Sequence, residues 1–221
     1  MLKIGVLASG RGSNFQAVMD AIKDGRIKNA AIALLITDKP DAYAIERARA
    51  NAIPFVYLAP RDYPTKDAYF EKIARELAEK GVGLVLLAGF MRIVRRPLLD
   101  AFPWKVMNIH PALLPSFPGL HGQRQAADYG VKISGCTVHF VDEGMDTGPI
   151  IIQAAVPVRH DDTEESLSGR ILEHEHRIYP EAVRLFAEGR LEVQGKKVAI
   201  KGPRTNGAAL VNPPLENFYL S

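Results

Sequence analysis

At 221 residues with 47% hydrophobic side chains, the chain is long enough to bury one sizeable α/β core and cramped for two full domains. Its 28 Lys and Arg against 25 Asp and Glu leave a formal net charge of only +3, without the concentrated basic runs that track a nucleic-acid backbone, so small anions are the expected partners and nucleic acid is not. A single cysteine, Cys136, excludes an intramolecular disulfide framework and any multi-cysteine metal site, the opening apolar run is too short for a signal peptide, and no segment nears membrane-spanning length; a cytoplasmic protein away from the membrane is expected.

In chain order, an apolar run at residues 2–8 leads through a Gly-rich turn to a helix from about Asn14. A run at 30–36 precedes a helix from about Ala42, a run at 54–58 precedes a helix over 65–80, and a fourth run covers 84–88. Apolar runs separated by amphipathic helices are the pattern of βαβ units, which predicts a doubly wound, mostly parallel, Rossmann-like sheet. After a strand at 106–109 the pattern changes. Pro111, Pro115, Pro118, Gly119 and Gly122 fill a stretch too proline-rich for a helix or central strand, and it reads as a stiff site loop. Strands at 133–141 and 149–158, joined by the acidic turn 142–148, form an expected antiparallel pair. A long C-terminal helix follows, with Asp162 as N-cap, Glu165 completing a capping box, and Pro180 as an internal kink. A short strand at 197–201 closes a single domain over 1–202, and residues 203–221 read as a mobile tail.

The first turn, Ser9-Gly10-Arg11-Gly12-Ser13-Asn14, offers backbone N–H groups and a helix dipole to an anion, although Asn14 as a plain helix cap is an equally good account of it. Phe15 stands where a dinucleotide fingerprint needs its third glycine, and Phe15-Gln16 stands where a Walker motif needs Gly-Lys. Open parallel sheets hold ligands beyond the carboxyl ends of their strands. The residues there are Ala88 to Val94 after the fourth strand, an apolar and basic stretch suited to a planar heteroaromatic ligand or equally to ordinary core with a surface Arg, and Asn108 and His110 ending the fifth. Strand alternation puts Asn108 and His110 on one side, where an amide donor and an imidazole could together stabilise an oxyanion and move a proton, with a satisfied polar residue ending a strand as the alternative for His110. A carboxylate nearby would favour the imidazolium, and Asp142, Glu143 and Asp146 are rivals for that place, with ordinary turn chemistry as the alternative for all of them. On the last helix, Leu167, Ile171, Ile178, Ala182 and Leu185 mark an apolar stripe on which Glu175 falls; a buried carboxylate needs a partner, either ligand groups or a structural Arg. His174-Glu175-His176 lacks the spacing of a zinc motif, and no metal is expected.

Several uncommon strings occur in order: Ser9-Gly10-Arg11-Gly12-Ser13-Asn14, Leu87-Ala88-Gly89-Phe90-Met91-Arg92-Ile93, Asn108-Ile109-His110-Pro111-Ala112-Leu113-Leu114-Pro115, Phe117-Pro118-Gly119-Leu120-His121 and Val138-His139-Phe140-Val141. Together they resemble the phosphoribosylglycinamide formyltransferase family of folate-dependent enzymes, over residues 1 to about 190. The resemblance implies transfer of the formyl group of 10-formyltetrahydrofolate to the amine of 5′-phosphoribosylglycinamide in de novo purine synthesis. It implies Asn108, His110 and Asp146 as the catalytic residues, with Asp146 selected among the three acids. It assigns the substrate to Gly12, Ser13, Asn14 and Glu175, and the folate to Met91, Arg92, Ile93 and Val94 with Asn108 beside the formyl group. Lys66 is assigned to the folate as well, standing where the family is expected to carry Arg, and Thr147 stands where a glycine often follows the aspartate. Formyl-folate hydrolases and methionyl-tRNA formyltransferases are the nearest rivals, each expected to carry a further domain for which this chain has no room; a nucleotide-binding dehydrogenase is disfavoured by Phe15, and a folate or nucleotide sensor would leave the pairing of Asn108 with His110 unexplained. The sequence is compatible with a homodimer.

Overall fold

The computed structural model describes residues 1–202, so the tail reading for 203–221 lies outside the described residues. Five parallel strands come first: β1 (Leu2–Leu7), β2 (Ala30–Thr37), β3 (Phe55–Tyr57), β4 (Leu84–Leu87) and β5 (Val106–His110). Helices α1 (Ser13–Lys23), α2 (Ala44–Ala50), α3 (Lys66–Glu79) and α4 (Arg96–Ala101) connect them. After α5 (Gly122–Tyr129), strands β6 (Ile133–Phe140) and β7 (Ile150–Pro157) add on in antiparallel sense. The long α6 (Glu164–Ala187) and a terminal hairpin, β8 (Leu191–Gln194) and β9 (Lys197–Ile200), complete a nine-stranded sheet in the order β3-β2-β1-β4-β5-β6-β7-β9-β8.

The central strands are apolar on both sides because both sheet faces are covered. In β1, Ile4 and Val6 enter one core and Leu7 the other; in β4, Leu84 and Leu86 enter the first and Val85 and Leu87 the second. The first core is roofed by Phe15 and Val18 of α1 and by Leu167, Ile171 and Tyr179 of α6, the second by Phe70, Ile73 and Leu77 of α3 and Leu98 of α4.

Several local expectations are corrected. Gly12, not Asn14, is the N-cap of α1: it takes a left-handed φ of 66°, and a β-carbon there would lie 2.9 Å from that of Ala44. Asn14 sits inside the first turn with its side chain turned into the protein. The cap of α6 is Thr163, paired reciprocally with Ser166, in place of Asp162 with Glu165. Asp162 is drawn off by Arg170, which bonds both carboxylate oxygens, and by the Arg159 N–H at 2.7 Å. Pro180 lies inside α6, as expected, with its side chain buried. The short helices α4 and α5 and the strand β8 were not expected.

The proline-rich segment between β5 and α5 contains no regular element and is stapled to the antiparallel strands. Thr137 Oγ1 donates to the Ala112 carbonyl at 2.7 Å and accepts the Leu114 N–H at 3.1 Å, while Gln153 Nε2 donates to the Leu114 carbonyl at 2.9 Å. These bonds satisfy the Ala112 and Leu114 backbone groups where the segment passes over the sheet.

Candidate active site

β5 ends with Asn108 half-buried and His110 only 4% exposed, both facing the side onto which the acidic turn between β6 and β7 folds. Of the acids in that turn, only Asp146 faces the imidazole: its Oδ2 lies 3.5 Å from His110 Nδ1. Asp142 is held elsewhere, accepting Thr147 Oγ1 at 2.7 Å, the Gly144 N–H at 3.1 Å and Lys196 Nζ at 3.0 Å. Glu143 pairs with Arg96 at 3.0 Å. Thr147 therefore serves the turn through Asp142. Asp146 itself has a left-handed φ of 55° and is fixed by the Gly119 N–H, which donates to Oδ2 at 2.7 Å. The second ring nitrogen of His110, Nε2, lies 2.8 Å from the Phe117 carbonyl. Both ring nitrogens thus face oxygens that can only accept, supplied by the acidic turn and by the proline-rich segment.

A second polar pair lies at the first helix. Glu175, 6% exposed, accepts the Asn14 Nδ2–H at 2.7 Å across 161 residues of sequence. Burial pushes its carboxyl above the ordinary range, and the Asn14 hydrogen bond opposes that shift. The expected partner is therefore an amide and not an arginine. Asn14 Oδ1 is buried without a protein partner among the described residues, so the pair has one acceptor left over in the first turn of α1.

The stretch after β4 borders the same edge. Met91 and Ile93 are exposed by 63% and 58%, Val94 is buried, and the Met91 N–H donates to Ser9 Oγ at 2.9 Å, tying this stretch to the first turn. Arg92 bonds Asp38 through Nε at 2.6 Å, and Asp38, at the end of β2, is buried. Lys66 opens α3 with an exposed side chain, and no described contact ties it to the cluster. His139, Phe117 and Gly119 are brought to the centre although no individual role was assigned to them from sequence. His139 is the cross-strand partner of Asn108 in the β5/β6 ladder. A histidine among the apolar residues of a buried strand was the available signal. Among the described residues, no group of His, Cys, Asp or Glu is placed to hold a metal ion, and no helix is long and apolar enough to cross a membrane.

The fold and this edge together define an α/β enzyme with its centre at the carboxyl ends of an open sheet. Comparison with known proteins narrows the class: the chain belongs to the formyl transferase family, whose sequence model matches residues 2–183. It is 46% identical to the phosphoribosylglycinamide formyltransferase of Bacillus subtilis over 184 residues, covering 83% of this chain and 94% of that one. Glycinamide ribonucleotide transformylase 1 from Symbiobacterium toebii superposes with a TM-score of 0.89 at 55% identity, over 90% of this chain and 94% of the other. The chain is also 44% identical over 188 residues to the trifunctional purine biosynthetic protein adenosine-3 of Drosophila melanogaster, covering 85% of this chain but spanning only 14% of that protein.

Proposed function

We infer that the chain transfers the formyl group of 10-formyltetrahydrofolate to the amine of 5′-phosphoribosylglycinamide, as a cytoplasmic step of de novo purine synthesis. The observation that carries this reading is the convergence of Asn108, His110 and Asp146 at the same edge as the Asn14–Glu175 pair, in a chain similar over nearly its full length to proteins named for that activity.

The amine attacks the formyl carbon, a tetrahedral intermediate forms, and the bond from that carbon to the folate nitrogen breaks. One proton leaves the attacking nitrogen and one arrives on the departing nitrogen, so no covalent enzyme intermediate and no redox partner are required. Asn108 donates an N–H to the oxygen on which charge develops. His110 carries the proton, and Asp146 orients its ring and offsets the positive charge that it gains. The substrate phosphate occupies the N-terminus of α1 at Gly12 and Ser13, where the helix dipole and the first-turn N–H groups favour it. Asn14 and Glu175 accept from donors on the sugar or the glycinamide. The exposed apolar faces of Met91 and Ile93, with Arg92 and Val94, border the folate, and Lys66 supplies a positive charge for its acidic end.

The test is to mix the protein with 10-formyltetrahydrofolate, with and without glycinamide ribonucleotide, and to follow tetrahydrofolate release and formylation of the amine by mass. Release that requires the amine is expected. Release without it would make the protein a hydrolase, and no release in either mixture would make it a binding module.

A further inference from the structure

His139 has no part in the chemistry above, yet it is 1% exposed and lies directly across the β5/β6 ladder from Asn108. Its Nδ1 is 2.9 Å from the Phe140 carbonyl oxygen. A carbonyl can only accept, so Nδ1 carries the proton. Its Nε2 is 3.2 Å from Asn108 Nδ2 and 3.8 Å from Asp146 Oδ1. An amide nitrogen can only donate, so Nε2 presents a lone pair, and a ring protonated there would set one donor against another. The charge state agrees: burial holds the His139 ring below the ordinary histidine value, with His110 adding to the effect and the Phe140 carbonyl, Asp146 and Asp142 opposing it.

We propose that His139 is a positioning residue for Asn108: as a neutral imidazole with its proton on Nδ1, it accepts one Nδ2–H of Asn108 and fixes which end of that amide faces the reacting carbonyl. With one N–H held at the imidazole, the other is free for the developing oxyanion. In the reversed amide, Oδ1 would set its lone pairs against the Nε2 lone pair on one side and against the oxyanion on the other. The inference rests on the reading of Asn108 as the oxyanion donor, and it explains how a flippable amide is held with its donor end forward in a site where charge appears only during reaction.

His139→Gln restores an acceptor near the Nε2 position, and His139→Leu fills the space without one. Loss of a single oxyanion donor costs about 10²–10³ in kcat. Losing only its orientation should cost about 10-fold or more, with KM for 10-formyltetrahydrofolate unchanged within about 2-fold for His139→Leu, while His139→Gln recovers most of the turnover. In an Asn108→Ala background the leucine substitution should have no further effect on kcat. Wild-type turnover of His139→Leu while Asn108→Ala is impaired, or equal losses from His139→Leu in both backgrounds, overturns the positioning role and leaves the role of Asn108 intact. Wild-type turnover of Asn108→Ala overturns the role of Asn108 itself and the inference with it. Nitrogen-15 NMR of the unmutated protein decides the matter even if the variants fail to fold. Near pH 8 the His139 ring should be neutral with its proton on Nδ1; a proton on Nε2 there overturns the proposal.

Discussion

Two buried tyrosines provide a controlled test of how the site strands are held. Tyr179, in α6, has no exposed surface, and its hydroxyl donates to the Leu87 carbonyl at 3.0 Å and the Met107 carbonyl at 3.1 Å. Those carbonyls belong to β4 and β5, directly before the segments that carry Met91–Val94 and Asn108–His110. Tyr69, in α3, is 2% exposed, and its hydroxyl is buried without a protein partner among the described residues. Tyr→Phe removes the same single oxygen at both positions and keeps the ring, including the edge contacts of Tyr69 with Tyr63 and Phe70 at 5.4 and 5.3 Å. At 179 the change deletes a buried hydrogen bond and leaves carbonyls short of a donor, a loss of about 1–3 kcal/mol. For a chain of this length each kcal/mol shifts Tm by about 2–4 °C, so Tyr179→Phe should melt about 2–12 °C lower. At 69 no bond is lost and an unmatched polar group leaves the core, so Tm should hold or rise. Differential scanning calorimetry on the two variants reads the contrast. Equal Tm changes, or a Tyr179→Phe Tm within about 1 °C of wild type, would refute the reasoning.

Asp146→Asn keeps an acceptor for the Gly119 N–H but removes the charge 3.5 Å from His110. It should lower kcat by about 10²–10⁴ while leaving KM within a few-fold, and unchanged steady-state turnover would remove Asp146 from the mechanism. Glu175 has a folded-state value raised by burial, so its contribution to stability is fully present below the unfolded value of about 4.3 and is lost as pH rises through the folded value. Glu175→Gln should therefore melt higher than wild type at pH 7 and equally near pH 4, while binding glycinamide ribonucleotide more weakly; a lower Tm at pH 7 contradicts this. Asp162 behaves in the opposite sense: its hydrogen bonds from Arg170 hold the carboxyl well below the usual range against a smaller opposing effect of burial, so its stabilisation is present above about pH 4 and lost as pH falls through the folded value. Asp162→Asn should melt below wild type at pH 7, and the gap should close in acid; a gap that persists undiminished at low pH would show that the charge is not responsible.

The parallel half of the fold was legible because strands covered on both faces leave runs such as Leu84–Leu87 with no polar position to obscure them. Asn108 and His110 were legible for the same geometric reason, since alternation along β5 fixes their common side. Asp146 could not be read from spacing. Its rivals are removed by Lys196 on Asp142 and Arg96 on Glu143, partners that only the folded chain brings into reach. The α6 cap failed in a similar way: Asp162 with Glu165 has the acid three residues on that the local pattern asks for and Thr163 with Ser166 does not, yet Arg170, two turns further on, claims Asp162 and leaves the cap to Thr163. Glu175 was legible as a carboxylate in need of a partner, but its partner comes from the other end of the domain. The helices α4 and α5 are six and eight residues long, too short for a periodic pattern to stand out.

The central claim is direct transfer from folate to amine. A single turnover with carbon-13-labelled formyl on 10-formyltetrahydrofolate and glycinamide ribonucleotide in excess, quenched and resolved by mass, tests it most directly. The account predicts that all of the label lost from the folate appears on the substrate amine, with none as free formate and none on the protein. Label recovered as formate, or attached to the protein before it reaches the amine, would contradict it.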